Sequence, residues 1–464
     1  MTGGQAVPRP VTGALGIEAR SSHTLEGGGG GVRGVHRPKG GDRRARFKLL
    51  DVVRRLSYRR GMPRELQNRV CTCHYSRRGG QKVKVRRDVI RGRCHFGGLE
   101  SCRNVWICPV CNGLITEERR AQLQRAVGRW KDQGGEVYLL TLTFPHARAD
   151  RLKDVLALMR NTINDFNRCR AVVAARAAAG YVGQIRALEV TWGSWHGWHP
   201  HFHILLFCAP GQLEVLKRME SAWVDALIKS GLADKSKRND MLHGAGGSSP
   251  AFDIQNGDFA ADYVAKFGHE PTFRSKLEAA ALWGVAREMV KGMSKTGRRL
   301  RGLTPFTILA VIAGVILMHG MKRGQAVALF SEYSLAFKNQ RQLYWSRGLE
   351  KRLNLGQLFT DDELPDALDR KPDIVDVCEL EHEDWRLVVA HQARDDVLIA
   401  AEEDGERGVR LLLERLRARP PTAPAGVEVR EPLDEPRIPW PRPGFAVVEN
   451  SDGSTRHVFE RVRR

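Results

Sequence analysis

The chain has 464 residues, and its 75 lysines and arginines against 53 aspartates and glutamates give a formal charge of +22. A surplus that large points to an anionic partner, nucleic acid first, and argues against a hydrolase of small molecules. The most apolar run, FTILAVIAGVILM at 306–318, is shorter than the roughly 20 residues a membrane-spanning helix needs, so a buried helix is expected there and no membrane partner. With no charged-then-apolar leader in MTGGQAVPRPVTGALG, a cytoplasmic location is expected.

In chain order, residues 1–62 read as a disordered basic tail, because EGGGGGVRG and RPKGGDRRARFK are rich in Gly and Arg and lack apolar periodicity. A cysteine-rich segment at 63–120 follows. Six of the nine cysteines lie there: Cys71, Cys73, Cys94, Cys102, Cys108 and Cys111. In a reducing compartment such clustering suggests metal rather than disulfides, and CPVC sets Cys108 and Cys111 at a spacing suited to tetrahedral zinc. Spacing leaves Cys71, Cys73, His74, Cys94 and Cys102 competing for the other positions.

TEERRAQLQRAVGRWKDQG is predicted to be a helix capped by Thr116 and stopped by Gly134 and Gly135. An alternation follows: strand EVYLLTLTF (136–144), helix at 149–169, strands QIRALEVTW and HPHFHILLF joined by GSWHGW, helix at 212–231, a basic loop at 235–250, strand AFDIQNG, and helix DFAADYVAKF capped by Asp258. The first six elements, β-α-β-β-α-β, match a ferredoxin-like arrangement, an antiparallel sheet with helices on one face. The fold class is therefore α+β, with a mainly helical region after the core. Residues 351–464 change character, with acidic TDDELPD and Pro-rich RPPTAPAG, and form a C-terminal region with no assigned role. The end reads as a hairpin with Asp-Gly at its turn.

In GWHPHFHILLF (197–207) the histidines stand at every second position. Residues i and i+2 of a strand share a face, so His201 and His203 project together and can share one metal ion. Glu189 of the neighbouring strand is the candidate third ligand. His199 shares the face but precedes Pro200, and ranks behind them. On the helix capped by Asp258, Tyr263 and Lys266, three apart, share a face, where the cation favours the phenolate.

LTLTF at 140–144, WHPHFHILLF at 198–207 and YVAKF at 263–267 resemble, in order, the three motifs of plasmid rolling-circle replication initiators of the HUH endonuclease superfamily. GGLESCRNVWICPVCNGLI, LTPFTILAVI and RQLYWSRGL resemble segments of one such family. The resemblance spans roughly 66–350, with an HUH domain and helical extension at 121–350, and its motifs are specific in combination and weak singly. It implies a metal-dependent DNA nicking and joining enzyme. Tyr263 would attack a phosphodiester at the replication origin, giving a 5′-phosphotyrosine and a free 3′-OH primer, with later rejoining. Lys266 would position phosphate and phenolate. His201, His203 and Glu189 would hold Mg²⁺ or Mn²⁺, and Cys71, Cys102, Cys108 and Cys111 a structural Zn²⁺. LTLTF would supply a supporting strand packed in the core. Phe259 stands where some members carry an acid, so the termination step departs from their pattern. The implied partners are origin DNA, single-stranded at the nick, and host helicase and replication machinery. Trp192, Trp195 and Trp198 crowd the loop beside the histidine strand, where aromatic faces could stack on bases, and Lys235, Lys237 and Arg238 could contact phosphates. An HUH transposase and a non-catalytic zinc-containing DNA-binding regulator are the competing readings.

Overall fold

The computed structural model describes residues 41–244, 249–256 and 303–419 apart from 319, 357, 361, 365, 366 and 368–372, and the backbone of 445–449 and 455–459. Helix α1 (Gly41–Ser57) opens it, where the sequence predicts disordered tail. The correction has a plain cause. Phe47, Leu49, Leu50 and Val53 recur at helical spacing among the arginines, and all four are buried. Strands β1 (Val83–Asp88) and β2 (Arg93–Gly97) form an antiparallel hairpin.

Helix α2 (Pro109–Asp132) begins a full two turns before the expected Thr116 cap. Cys108 is its N-cap, accepting from the Cys111 N–H, and Pro109 sits in the first turn, where a missing N–H costs nothing. Thr116 instead bonds the Asn112 carbonyl within the helix. The helix stops before Gly134, which has φ +79. At Gly135 a side chain would sit 2.1 Å from the Trp130 ring, so the chain turns under that indole only as glycine.

The central sheet contains β3 (Glu136–Leu142), β4 (Gly183–Gly193), β5 (Gly197–Cys208), β6 (Phe252–Asn256) and, later in the chain, β7 (Leu343–Trp345). Its order is β6-β3-β5-β4-β7, and every pairing is antiparallel. Among the first four strands this is fourth, first, third, second, the ferredoxin-like order expected from the element pattern. Between β3 and β4 run α3 (Leu152–Arg168) and α4 (Arg170–Ala178). The helix predicted at 212–231 is divided into α5 (Leu213–Lys217) and α6 (Glu220–Lys229), and α7 (Arg238–Leu242) precedes β6.

Strand alternation gives the sheet two different faces. Tyr138, Leu140, Leu142, Phe202, Ile204 and Leu206 point into the larger core with Met159, Ile163 and Phe166 of α3 and Trp223 of α6. Val137, Leu139, Ile185, Leu205 and Phe207 point the other way, under Leu123, Ala126, Val127 and Trp130 of α2. Each fully buried Val, Leu, Ile, Phe or Met among them contributes roughly 1.5–3 kcal/mol.

Helix α8 (Pro305–Ile312) is the buried helix predicted from the apolar run, and α9 (Arg323–Ala336) packs on it. No helix among the described residues is long and apolar enough to cross a membrane. After α10 (Leu349–Arg352), strand β8 (Ile374–Leu380) pairs with β1, giving a second sheet β2-β1-β8, covered by α11 (His382–Ala390) and α12 (Arg394–Arg417). The acidic C-terminal region thus completes the unit that the basic N-terminal segment begins. Strands β9 (Phe445–Glu449) and β10 (Thr455–Phe459) form the expected terminal hairpin; its Asp-Gly turn lies outside the described residues.

Candidate active site and metal centres

On the α2 face of the central sheet the apolar row Phe207, Leu205 gives way to His203, His201 and His199, all on β5. Glu189 of β4 lies directly opposite His201, and Thr141 of β3 opposite His203. The Glu189 carboxylate Oε2 stands 3.1 Å from His201 Nε2 and 3.3 Å from His203 Nε2. These three residues can bring one ligand atom each within 4.8 Å of the others, the geometry of a shared cation. The backs of both rings are held. His201 Nδ1 meets the His199 carbonyl at 3.2 Å, and His203 Nδ1 meets Thr141 Oγ1 at 3.1 Å. Such outer contacts turn the opposite nitrogens toward a metal. Burial works to raise the Glu189 carboxyl, but hydrogen bonds and charge from the two imidazoles hold it at about 2.

His199 does not join the trio. Its Nδ1 lies 3.2 Å from His146 Nδ1, and burial with the neighbouring imidazoles lowers it to about 3. Burial also lowers His146, whose Nδ1 lies 3.2 Å from the Phe144 carbonyl as well. The part of His199 that serves the site is its backbone carbonyl. Neither His146 nor the Thr141 contact was read from the sequence. The Thr141 signal was the alternation of LTLTF, which puts that threonine on the histidine face.

β5 starts at Gly197, with φ +74, where a Cβ would lie 2.9 Å from the Arg148 backbone. Glu332 of α9 anchors the same point. It accepts the Trp198 indole N–H at 2.9 Å with one oxygen and the Leu152 amide of α3 at 3.0 Å with the other. Trp198 is 4% exposed and stacked on Tyr333, and Trp192 is 3% exposed. The expectation that Trp192 and Trp198 face bases is therefore corrected: even residues of these strands point into the larger core. Trp195, in the turn, is half exposed. Lys235 and Lys237 are exposed, whereas Arg238 is tied to Asp225 at 2.9 Å. Tyr263 and Lys266 lie outside the described residues.

A second group lies where α2 begins. Cys73, Cys102, Cys108 and Cys111 are all buried and their sulfurs converge. Cys73 Sγ is 3.7 Å from Cys108 and 3.6 Å from Cys111, and Cys102 is 3.7 Å from Cys111. Backbone amides support it, from Cys102 to Cys73 Sγ and from Cys111 to Cys108 Sγ. Burial pushes the Cys102 and Cys108 thiols up, while hydrogen bonds from the other three thiols hold Cys111 down. Cys71 is not a member. Its sulfur faces the Arg54 carbonyl at 3.8 Å, and Cys73 takes the place expected for it. The short helical turn Arg69–Cys71 aims residue 71 at α1 and leaves residue 73 to face α2. Both the Cys₄ and the Glu-His-His groups can hold a metal ion.

Residues 96–225 match the family model described as Replication protein. A protein of Streptomyces lividans named Protein rep is 28% identical over 57% of this chain and 66% of its own length. A Neomycin resistance protein of Streptomyces cyanogenus is 34% identical over 24% of this chain and 30% of its own. The chain thus spans just under two thirds of one relative and less than a third of the other. No solved structure matches it.

Proposed function

We propose, for a chain whose residues 96–225 carry a replication-protein domain, that it initiates plasmid rolling-circle replication by nicking one strand of origin DNA and later rejoining it. The observation that carries this reading is the convergence of Glu189, His201 and His203 inside the matched segment. Two imidazoles and a carboxylate can hold a divalent cation; the resemblance to rolling-circle initiators implies Mg²⁺ or Mn²⁺, which when bound would supply Lewis-acid charge at the scissile phosphate. The chain's own part is to aim those donors: β4 and β5 fix the carboxylate against the rings, and Thr141 and the His199 carbonyl fix the rings themselves.

The nucleophile in this reading is Tyr263. Its oxygen would bond to phosphorus as the bond to the 3′ oxygen breaks, leaving a 5′-phosphotyrosine and a 3′-hydroxyl primer, and Lys266 would favour the phenolate. Chain length allows the approach. Asp253 of β6 is in register with Thr141, and Thr141 with His203. From Asn256 the site is three residues along and two strands across, about 14 Å. Two extended residues to Asp258 and the expected helix from there to Tyr263 span about 14 Å, just that distance.

The four cysteines suit zinc. Thiolates about 2.3 Å from a tetrahedral ion stand about 3.8 Å apart, close to the sulfur separations here. Four protein ligands leave no open position, so this zinc would be structural. Exposed Trp195, Lys235 and Lys237 would meet the single-stranded and phosphate portions of the DNA. A host helicase and replication machinery in the cytoplasm complete the proposal.

Incubation of the full chain with Mn²⁺ and single-stranded origin DNA tests it. A covalent adduct that survives denaturation is expected, absent in Tyr263→Phe and reduced at least 100-fold in His201→Ala. An adduct persisting in Tyr263→Phe would sink the nucleophile assignment. DNA binding with no cleavage of either strand would favour the regulator reading.

A further inference from the structure

The LTLTF strand enters the proposed function only as a support for the sheet, yet one of its side chains touches the histidine pair directly. From this contact we infer that Thr141 is a positioning residue for the cation: its hydroxyl fixes the ring angle of His203 so that Nε2 faces Glu189. The inference rests on the reading of Glu189, His201 and His203 as a cation site.

Thr141 and His203 are opposite one another across β3 and β5, with Oγ1 3.1 Å from Nδ1. His203 is 3% exposed, so water has little access to replace that partner. A neutral imidazole carries one proton, on either nitrogen. With Nδ1–H donating to Oγ1, the Nε2 lone pair is left facing Glu189, where the cation belongs. With the proton on Nε2, a hydrogen occupies the cation's place. A hydroxyl can accept or donate, so what Thr141 fixes is the angle of the ring, with Nδ1 turned to β3 and Nε2 to Glu189. His201 obtains the same service from a backbone carbonyl, which no side-chain substitution removes. Of these two contacts, the one to His203 is the one made by a replaceable side chain.

Position along the strand argues for a specific role. Leu139 and Val137, on the same face of β3, are apolar and packed under α2. Thr141 continues that row at the level where β5 changes from Leu205 to His203. A valine there would keep the β-branched shape and suit the strand equally well. The hydroxyl is the only difference.

Manganese titration of the full chain, by calorimetry or by the signal of free Mn²⁺ in electron spin resonance, separates the possibilities. Thr141→Val is expected to bind Mn²⁺ about 10–100-fold more weakly than the unaltered protein, with an unchanged thermal unfolding midpoint in the absence of metal. Thr141→Ser, which restores the hydroxyl without the methyl group, is expected to recover most of the affinity. His203→Ala is expected to lose binding. If His203→Ala binds as the unaltered protein does, the cation site itself is overturned, and Thr141's role with it. If His203→Ala loses binding while Thr141→Val retains it in full, the site stands and the inference about Thr141 fails. Loss in Thr141→Val that Thr141→Ser does not restore also overturns it, because shape rather than hydrogen bonding would then be responsible.

Discussion

Cys71 and Cys73 are two residues apart, equally polarisable, and in a sequence indistinguishable as ligands. The fold distinguishes them by direction. Cys73 is fully buried among Cys102, Cys108 and Cys111, whereas Cys71 faces the Arg54 carbonyl on α1. Zinc content of purified protein should follow that geometry. Cys73→Ser is expected to lose most of its bound zinc, and Cys71→Ser to retain about one ion per chain. The reverse pattern would restore the ligand set that the resemblance implies. Trp198 teaches the same lesson in the opposite sense. Its place in an aromatic loop suggested a surface for bases, but its position one residue before His199 commits it to the opposite face of the strand.

At the scale of elements, α1 and α12 are held together by charges that neither sequence segment announces. Arg394, 1% exposed at the start of α12, pairs with Asp51 of α1 and donates to the His74 carbonyl. Arg43 of α1 reaches Asp395 at 2.8 Å and Glu402 at 2.6 Å. Glu402 also accepts the Cys94 amide of β2 at 2.7 Å. A non-helical kink at Asp404 and Gly405 follows Glu402, and Gly405 has φ +59. Removing one partner of a buried pair leaves the other charge uncompensated. Asp51→Ala is therefore expected to cost about 3–5 kcal/mol, read as a lower urea midpoint. A change under about 1 kcal/mol would mean that Arg394 keeps its solvation by another route.

For the molecule as a whole, the two sheets divide the work. The central sheet carries Glu189, His201 and His203, and the small sheet β2-β1-β8 joins strands from 83–97 to one from 374–380. The Trp385 indole of α11 donates to the Tyr75 carbonyl, two residues beyond Cys73. A chain ending at residue 373 lacks β8, α11 and α12. It is expected to release zinc to a chelator at least 10-fold faster and to be cleaved readily by protease within 41–100, while Mn²⁺ affinity at the central sheet is kept. Equal zinc release from the shortened and full chains would show that the C-terminal region does not support the cysteine unit.

The sequence by itself determined the order of the central elements, the alternation that puts His201 and His203 on one face, and the pairing that brings Glu189 opposite them. Those are local properties: a strand's period of two and a short connection between neighbours leave little choice of geometry. Tertiary structure alone decided which cysteine faces the group at α2, that Thr141 backs His203, that Trp198 is buried, and that residues 41–57 and 374–417 form one unit. These depend on contacts between segments up to about 350 positions apart, such as Arg43 with Asp395 and Glu402. No periodicity records such a contact, because it is set by the packing of whole elements and not by the chain's local conformation.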